Sequence, residues 1–335
     1  MPLIYVNDKT TIDKKNSNVI ITKQPMIMGD TIDYLRQQRF QNVYVANENI
    51  LFANIESLDD IIKYFDRVDF NKPFLNYLEV NVVDHCNLNC KGCAHFSNVS
   101  NRNFVSLDSF TDDLKIISEK FNLYYFRLLG GEPLLHPNIV DLVKIARAIL
   151  KKTTIVLVTN GLLIPKLDDK VLQSFADNNI IISISLYKPT SMLLNDIREK
   201  LDKYNIKYLI NDNYYNEPEV IDFFQTRLST KKVLENNNVH KICTGRFLRN
   251  GKISKCYYSL LIDILNKKYG VNFELSDSDY VDLHEISDGW KAIDKLTQRI
   301  PFCDYCSELL YEFNWQGHCK GDKDISSFVL KRKMI

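Results

Sequence analysis

Between residues 74 and 210 the chain alternates short apolar runs with longer amphipathic ones, a pattern that few folds accommodate. The spacing predicts strands over Leu78–Val83, Tyr124–Leu129, Thr154–Val158, Ile180–Leu186 and Lys207–Ile210. Between them it predicts helices over Leu107–Lys120, Asn138–Leu150, Lys166–Asp177 and Ser191–Tyr204. The first helix carries its own punctuation: Ser106 can cap it and Asp108 sits in its positive first turn. Leu107, Phe110, Leu114 and Ile117 share one of its faces. Alternation of this kind means βαβ units, hence a parallel sheet with helices outside. The expected fold class is α/β, with five or six units forming a partial parallel barrel of the (β/α)6 type.

The chemistry-bearing residues all follow strands. Cys86, Cys90 and Cys93 come after the first, and Gly130-Gly131-Glu132-Pro133 after the second. Thr159-Asn160-Gly161 follows the third, and Ser185 to Lys188 ends the fourth. In a parallel α/β barrel the loops after the strands share one face, where active sites sit. Four candidate elements are therefore expected at one mouth.

The eight cysteines are not scattered as single core residues: three fall together, then none occurs until Cys243, Cys256, Cys303, Cys306 and Cys319. Met1 to Asp8 lacks the basic-then-apolar order of a secretory signal, and runs such as Ile180–Leu186 are too short to cross a bilayer. The expected localisation is cytoplasmic, where thiols stay reduced and clustered cysteines mean metal or catalysis. Formal net charge is +1, so no global field draws nucleic acid or an acidic membrane, and neither is an expected partner.

Cys86, Cys90 and Cys93 form C-x3-C-x2-C, and three thiolates on one loop can hold three corners of a cubane cluster. The missing fourth ligand leaves one iron open to an exogenous chelate. Zinc is the alternative, with His85 or His95 completing a tetrahedron.

With Gly130-Gly131-Glu132-Pro133 one βα unit later, residues 76 to 212 resemble the radical S-adenosylmethionine superfamily. The resemblance implies that Cys86, Cys90 and Cys93 hold a [4Fe–4S] cluster whose open iron takes the amino and carboxylate groups of S-adenosylmethionine. It implies that Gly130 and Gly131, in the motif with Glu132, offer backbone to the methionyl amine, where close approach excludes a Cβ. Asn160 and Ser185 are candidates for ribose or carboxylate contacts, or else ordinary loop caps. Such an enzyme takes an electron from a donor such as flavodoxin or ferredoxin and cleaves the sulfonium reductively. The resulting 5′-deoxyadenosyl radical abstracts hydrogen from substrate. This chain departs from the family pattern in carrying Gly92, not an aromatic residue, before the third cysteine. His95 or Phe96 is the candidate replacement against the adenine.

Cys243 and Cys256 flank Asn250-Gly251, a two-residue hairpin signal that would return the cysteines to each other. Cys303-Asp-Tyr-Cys306 follows a helix-like stretch, Gly289 to Arg299. Two plus two makes four ligands, enough for a closed second cluster or a structural zinc. The order resembles the twitch extension of radical S-adenosylmethionine enzymes, an abbreviated SPASM domain, and that resemblance implies an auxiliary [4Fe–4S] cluster. A full SPASM domain needs more cysteines than the one remaining. That residue, Cys319, is either a spare, partly buried thiol or, as in some epimerases of this type, a catalytic hydrogen donor.

The expected organisation is an α/β module over 1–73, the barrel over 74–235 and an auxiliary-cluster domain over 236–335. In the module, Asn18–Thr22 and Val43–Ala46 read as strands, and Thr31–Phe40 and Leu58–Phe65 as helices. The implied function is radical-initiated oxidation or epimerisation of a small molecule, such as a sugar or aminocyclitol. Peptide maturation is the alternative, and a non-catalytic iron–sulfur or zinc-binding protein the second.

Overall fold

The computed structural model describes residues 3–5, 18–21, 42–46, 65–67, 69–211, 223–229, 243, 245–315, 317 and 325–330. Near the N-terminus, β1 (Leu3–Tyr5), β2 (Asn18–Ile21) and β3 (Asn42–Ala46) pair in parallel. A fourth strand, β4 (Phe65–Arg67), runs antiparallel to β3. Both expected strands are present. The helices expected over Thr31–Phe40 and Leu58–Phe65 lie outside the described residues, except that Phe65 opens β4.

The barrel sheet is built from β5 (Phe74–Val83), β6 (Asn122–Gly130), β7 (Thr154–Thr159), β8 (Ile181–Ser185) and β9 (Tyr208–Asn211). Each is parallel to the one before it. The near-continuous burial of β5 and β7 is what a parallel sheet covered on both faces requires. Helices α1 (Leu107–Lys120), α2 (Ile139–Ile149) and α3 (Asp169–Asp177) connect the first four strands. Then α4 (Lys188–Ser191) and α5 (Leu194–Lys203) lead into β9.

Ser106 Oγ accepts the Ser109 N–H at 3.1 Å, and Phe110, Leu114 and Ile117 are buried, so α1 begins and faces inward as its sequence dictates. The third helix starts at Asp169 rather than Lys166, because Pro165 lies in a separate 3-10 turn and Asp168 re-enters in extended conformation. The fourth starts at Leu194 rather than Ser191, which instead ends the separate short helix α4.

A further strand, β10 (Phe223–Ser229), belongs to another sheet. The hairpin of β11 (Phe247–Arg249) and β12 (Lys252–Ser254) turns at Asn250 and Gly251, with φ of 52° and 71°. Two successive positive φ values define the tight turn that Asn-Gly favours. β11 pairs in parallel with β5, Phe247 opposite Glu79, and β12 pairs with β13 (Val281–Asp282). The barrel sheet thus has eight strands in the order β13-β12-β11-β5-β6-β7-β8-β9. It continues through residues that the sequence places after the barrel.

Helices α6 (Tyr257–Tyr269) and α7 (Gly289–Thr297) follow the hairpin. Strand β14 (Cys306–Asn314) and the short β15 (Val329–Leu330) flank β10 in a three-stranded sheet. One core fills the space between barrel sheet and helices, with Leu78, Leu114, Phe126, Leu142 and Ile182 at its centre. A second joins Phe96 and Val99 of the first cysteine loop to Leu261, Leu265, Phe302 and Phe328. Among the described residues no helix is long and apolar enough to cross a membrane.

Candidate active site

The cysteine loop leaves the C-terminal end of β5 and is held largely by its own backbone. Cys93 N–H donates to the Cys90 carbonyl at 3.3 Å, and Phe96 N–H to the Cys93 carbonyl at 2.8 Å. Gly92 adopts φ 62°, which glycine tolerates freely. Phe96 adopts φ 55° without that freedom and is fixed by burial in the second core. Cys86, Cys90 and Cys93 line one cavity of about 290 Å³, together with Gly130, Gly131, Asn160 and Ser185. The four strand-end elements expected at one mouth therefore meet there. Burial pushes the Cys86 thiol up to about 12, helped by the negative charge of Glu132, and burial also raises Cys93. These thiols are neutral until a metal displaces their protons.

The two glycines act on the chain itself. A Cβ at Gly131 would sit 1.9 Å from the His85 carbonyl oxygen, and one at Gly130, where φ is 143°, would sit 2.2 Å from the Val83 carbonyl oxygen. Gly131 N–H donates to Val83 O at 2.6 Å and Glu132 N–H to His85 O at 3.0 Å. The Gly-Gly-Glu turn is thus pressed against the start of the cysteine loop, and that packing is what requires glycine.

Glu132 is fully buried and does not line the cavity. Its carboxylate accepts from Leu134 N–H at 3.0 Å, Thr159 Oγ1–H at 2.7 Å and Asn160 N–H at 2.9 Å. It clasps the loops after β6 and β7 together, where the family resemblance suggested a cofactor contact. Burial raises it to about 7 against the pull of those donors. Asn160 Nδ2 then reaches Asn87 Oδ1 at 2.7 Å and Cys86 Sγ at 3.6 Å.

Of the two candidates for the adenine-facing surface, His95 lines the cavity and Phe96 does not. Phe96 instead packs edge-on against Phe328. His95 stacks on Tyr257, and burial, with Arg127 nearby, holds it down at about 4. Its Nδ1 is buried without a protein partner, a polar atom that a bound group would satisfy. His85, the other possible zinc ligand, packs edge-on against Phe104 and lies outside the cavity. Among the described residues, no three His, Cys, Asp or Glu side chains converge tightly enough to hold a single metal ion.

Three features escaped the sequence reading. Glu79 and Arg127, opposite each other on β5 and β6, form a 2.7 Å ion pair in the cavity, with Arg127 also donating to Tyr77 Oη at 2.6 Å. Burial pushes Glu79 up to about 7, and Arg127 opposes that rise. Asp84, just before the cysteine loop, receives Nε and Nη2 of Arg249 at 3.3 and 3.0 Å, while Asn81 and Asn103 also donate to it. Trp315, which follows β14 directly, donates Nε1–H to Cys90 Sγ at 3.3 Å. The first left a weak signal, charged residues inside otherwise apolar strands, and the second a weaker one, Arg249 at the end of β11; the third left none.

The C-terminal cysteines lie near enough to influence one another electrostatically. Burial raises Cys256 above the ordinary thiol range, and the neighbouring Cys243, Cys306 and Cys303 add to that rise. Cys256 ends the hairpin and precedes α6, Cys303 lies in the 3-10 turn Pro301–Tyr305, and Cys306 opens β14 opposite Leu228. Cys319 lies outside the described residues.

Residues 80–211 match the Radical SAM superfamily. The chain carries a radical SAM domain. That family implies a [4Fe–4S] cluster and S-adenosylmethionine. Three thiols around one cavity, with an orphaned imidazole nitrogen beside them, fit such a pair. Among curated proteins, a GTP 3',8-cyclase of Syntrophomonas wolfei subsp. wolfei is 26% identical over 174 residues, covering 47% of this chain and 53% of that one. A GTP 3',8-cyclase of Clostridium perfringens is 30% identical over 168 residues, covering 44% and 50%. The chain thus spans about half the length of these relatives. Among solved structures, BtrN in complex with AdoMet and 2-DOIA gives a TM-score of 0.38 at 14% identity, covering 69% of this chain and 85% of that one. At that score the likeness has no bearing on what this radical SAM domain acts upon.

Proposed function

We propose that this chain is a radical SAM enzyme that cleaves S-adenosylmethionine reductively and takes hydrogen from a small, polar substrate such as a sugar or aminocyclitol, oxidising or epimerising it. The observation that carries the reading is the convergence of Cys86, Cys90, Cys93, Gly130, Gly131, Asn160 and Ser185 on one cavity. The three thiolates would hold the cluster, leaving an iron for the cofactor. When bound, the pair supplies a one-electron cleavage that generates the hydrogen-abstracting group. The protein binds, orients and excludes water: Glu132 fixes the Asn160 loop, and Tyr187 and His95 wall the cavity.

One observation supports the substrate class. The Glu79–Arg127 pair in the cavity carries no net charge above about pH 7, which suits hydroxyl or amine groups better than a triphosphate. GTP, which the GTP 3',8-cyclase relatives carry in their name, is therefore the comparator substrate. Cys243, Cys256, Cys303 and Cys306 would hold an auxiliary [4Fe–4S] cluster that relays an electron, supported by their mutual proximity in the C-terminal region. A flavodoxin or ferredoxin would supply electrons.

The test is to reconstitute the protein anaerobically, reduce it and offer S-adenosylmethionine with perdeuterated sugars, aminocyclitols or GTP. Deuterium in 5′-deoxyadenosine from a sugar or cyclitol is the expected result. Deuterium from GTP alone would overturn the substrate class, and no 5′-deoxyadenosine under any condition would overturn the activity.

A further inference from the structure

The C-terminal strand ends on the first cysteine loop. Trp315 follows β14 directly, and its Nε1–H reaches the buried Cys90 Sγ at 3.3 Å across 225 residues of sequence. Two further contacts hold the same short segment. Asn89 N–H donates to the Gly317 carbonyl at 3.1 Å. The Trp315 ring stacks on Tyr187, with centroids 5.3 Å apart and planes at 16°. The indole is thus held from its face, and its neighbour from the backbone, with the N–H directed at sulfur.

We propose that Trp315 is a positioning residue whose N–H sets the reduction potential of the cluster that Cys90 helps to hold. The proposal rests on the reading of Cys90 as a cluster ligand. Reduction adds negative charge that the cluster shares with its sulfurs, so a donor aimed at a sulfur stabilises the reduced form more than the oxidised one. Burial strengthens that effect by lowering the local dielectric. Asn160 Nδ2 also approaches a sulfur, but at 3.6 Å and while donating to Asn87 at 2.7 Å. Within the loop itself, Leu88 N–H donates to Cys86 Sγ at 3.4 Å and Ser97 bonds Cys93. Trp315, at 3.3 Å, is the donor that reaches a sulfur from the C-terminal region. The consequence is functional: the first cluster accepts an electron readily only when the end of β14 is docked on its loop. Cofactor cleavage is thereby coupled to correct packing of the C-terminal region.

Trp315→Phe keeps a ring against Tyr187 and removes the N–H. Potentiometric titration by electron paramagnetic resonance would follow the cluster whose signal responds to S-adenosylmethionine. Unchanged iron and sulfide content is expected, with the reduced-to-oxidised ratio at fixed potential lowered about tenfold, or ~59 mV for one electron. An unchanged potential would overturn the proposal.

A second measurement needs no variant. The chain has two tryptophans, and the other, Trp290, adjoins Gly289, which packs on Pro73 at the far end of β5 from the cysteines. Indole-15N labelling of the wild-type protein should therefore give a nitrogen coupling to the reduced cluster from Trp315 alone. Absence of that coupling in an intact, cofactor-responsive cluster overturns the Trp315 role by itself. Failure of the wild type to assemble any cofactor-responsive cluster overturns the Cys90 reading, and the Trp315 role falls with it.

Discussion

The first cysteine set spans residues 86 to 93 on one loop, while the second is gathered from residues 243 to 306. Cys86, Cys90 and Cys93 need only β5 and the turn after β6 to be in place, because Gly131 and Glu132 bond directly to Val83 and His85. Cys243, Cys256, Cys303 and Cys306 come from the approach to a hairpin, a helix start, a 3-10 turn and a strand start, and meet only once all are packed. Closing the longer loops costs more chain entropy before any contact rewards it. On the proposed reading the two sets would also differ in completeness: three thiolates would leave an iron for a ligand, and four would not. Yet the local site is not independent of the distant one, since Phe96, Asp84 and Cys90 are each tied to residues beyond 245.

The largest effects should separate the two sets. Changing Cys86, Cys90 and Cys93 together to alanine should abolish 5′-deoxyadenosine formation and lower iron and sulfide from about eight to about four per chain. Cys303→Ala with Cys306→Ala should lower the iron count similarly yet retain cofactor cleavage, while substrate turnover is lost. Full turnover by that double variant would make the second set structural.

A smaller effect tests the tie between the regions. Arg249 is buried between Asp84 and Asp263, and Arg249→Met leaves the Asp84 carboxylate, among the described residues, with Asn81 and Asn103 as side-chain donors. A loss of about 3 kcal/mol in denaturant unfolding is expected. No measurable loss would show the loop to be held locally.

The smallest concerns Glu79. Its folded pKa of about 7 lies above the ordinary glutamate value, so its contribution is full at low pH and is lost as pH rises from about 4.5 through 7. Glu79→Gln should flatten the decline in unfolding free energy between pH 5 and 8 by on the order of 2 kcal/mol. An unaltered slope would mean that Arg127 keeps Glu79 ionised throughout.

Much of this was legible because it is local. Helix α1 spans the residues its Ser106 cap and apolar spacing indicate, and the strand-end loops meet as βα alternation requires. What was not legible depends on where distant segments land. Glu132 sits in a motif whose family role suggests cofactor binding, yet Thr159 and Asn160, met only on folding, turn it inward. Parallel pairing of β11 with β5 joins residues 247 and 79, and nothing in either short run encodes the other. Trp315 reads as an ordinary aromatic until β14 delivers it to Cys90.

The most direct test is cofactor cleavage by Cys90→Ala. Removing one thiolate leaves Cys86 and Cys93, too few to hold the cubane with an iron presented to S-adenosylmethionine. Dithionite-reduced, anaerobically reconstituted wild-type protein should form 5′-deoxyadenosine from S-adenosylmethionine, and the variant should form none. Undiminished 5′-deoxyadenosine from Cys90→Ala would place the cofactor site elsewhere in the chain.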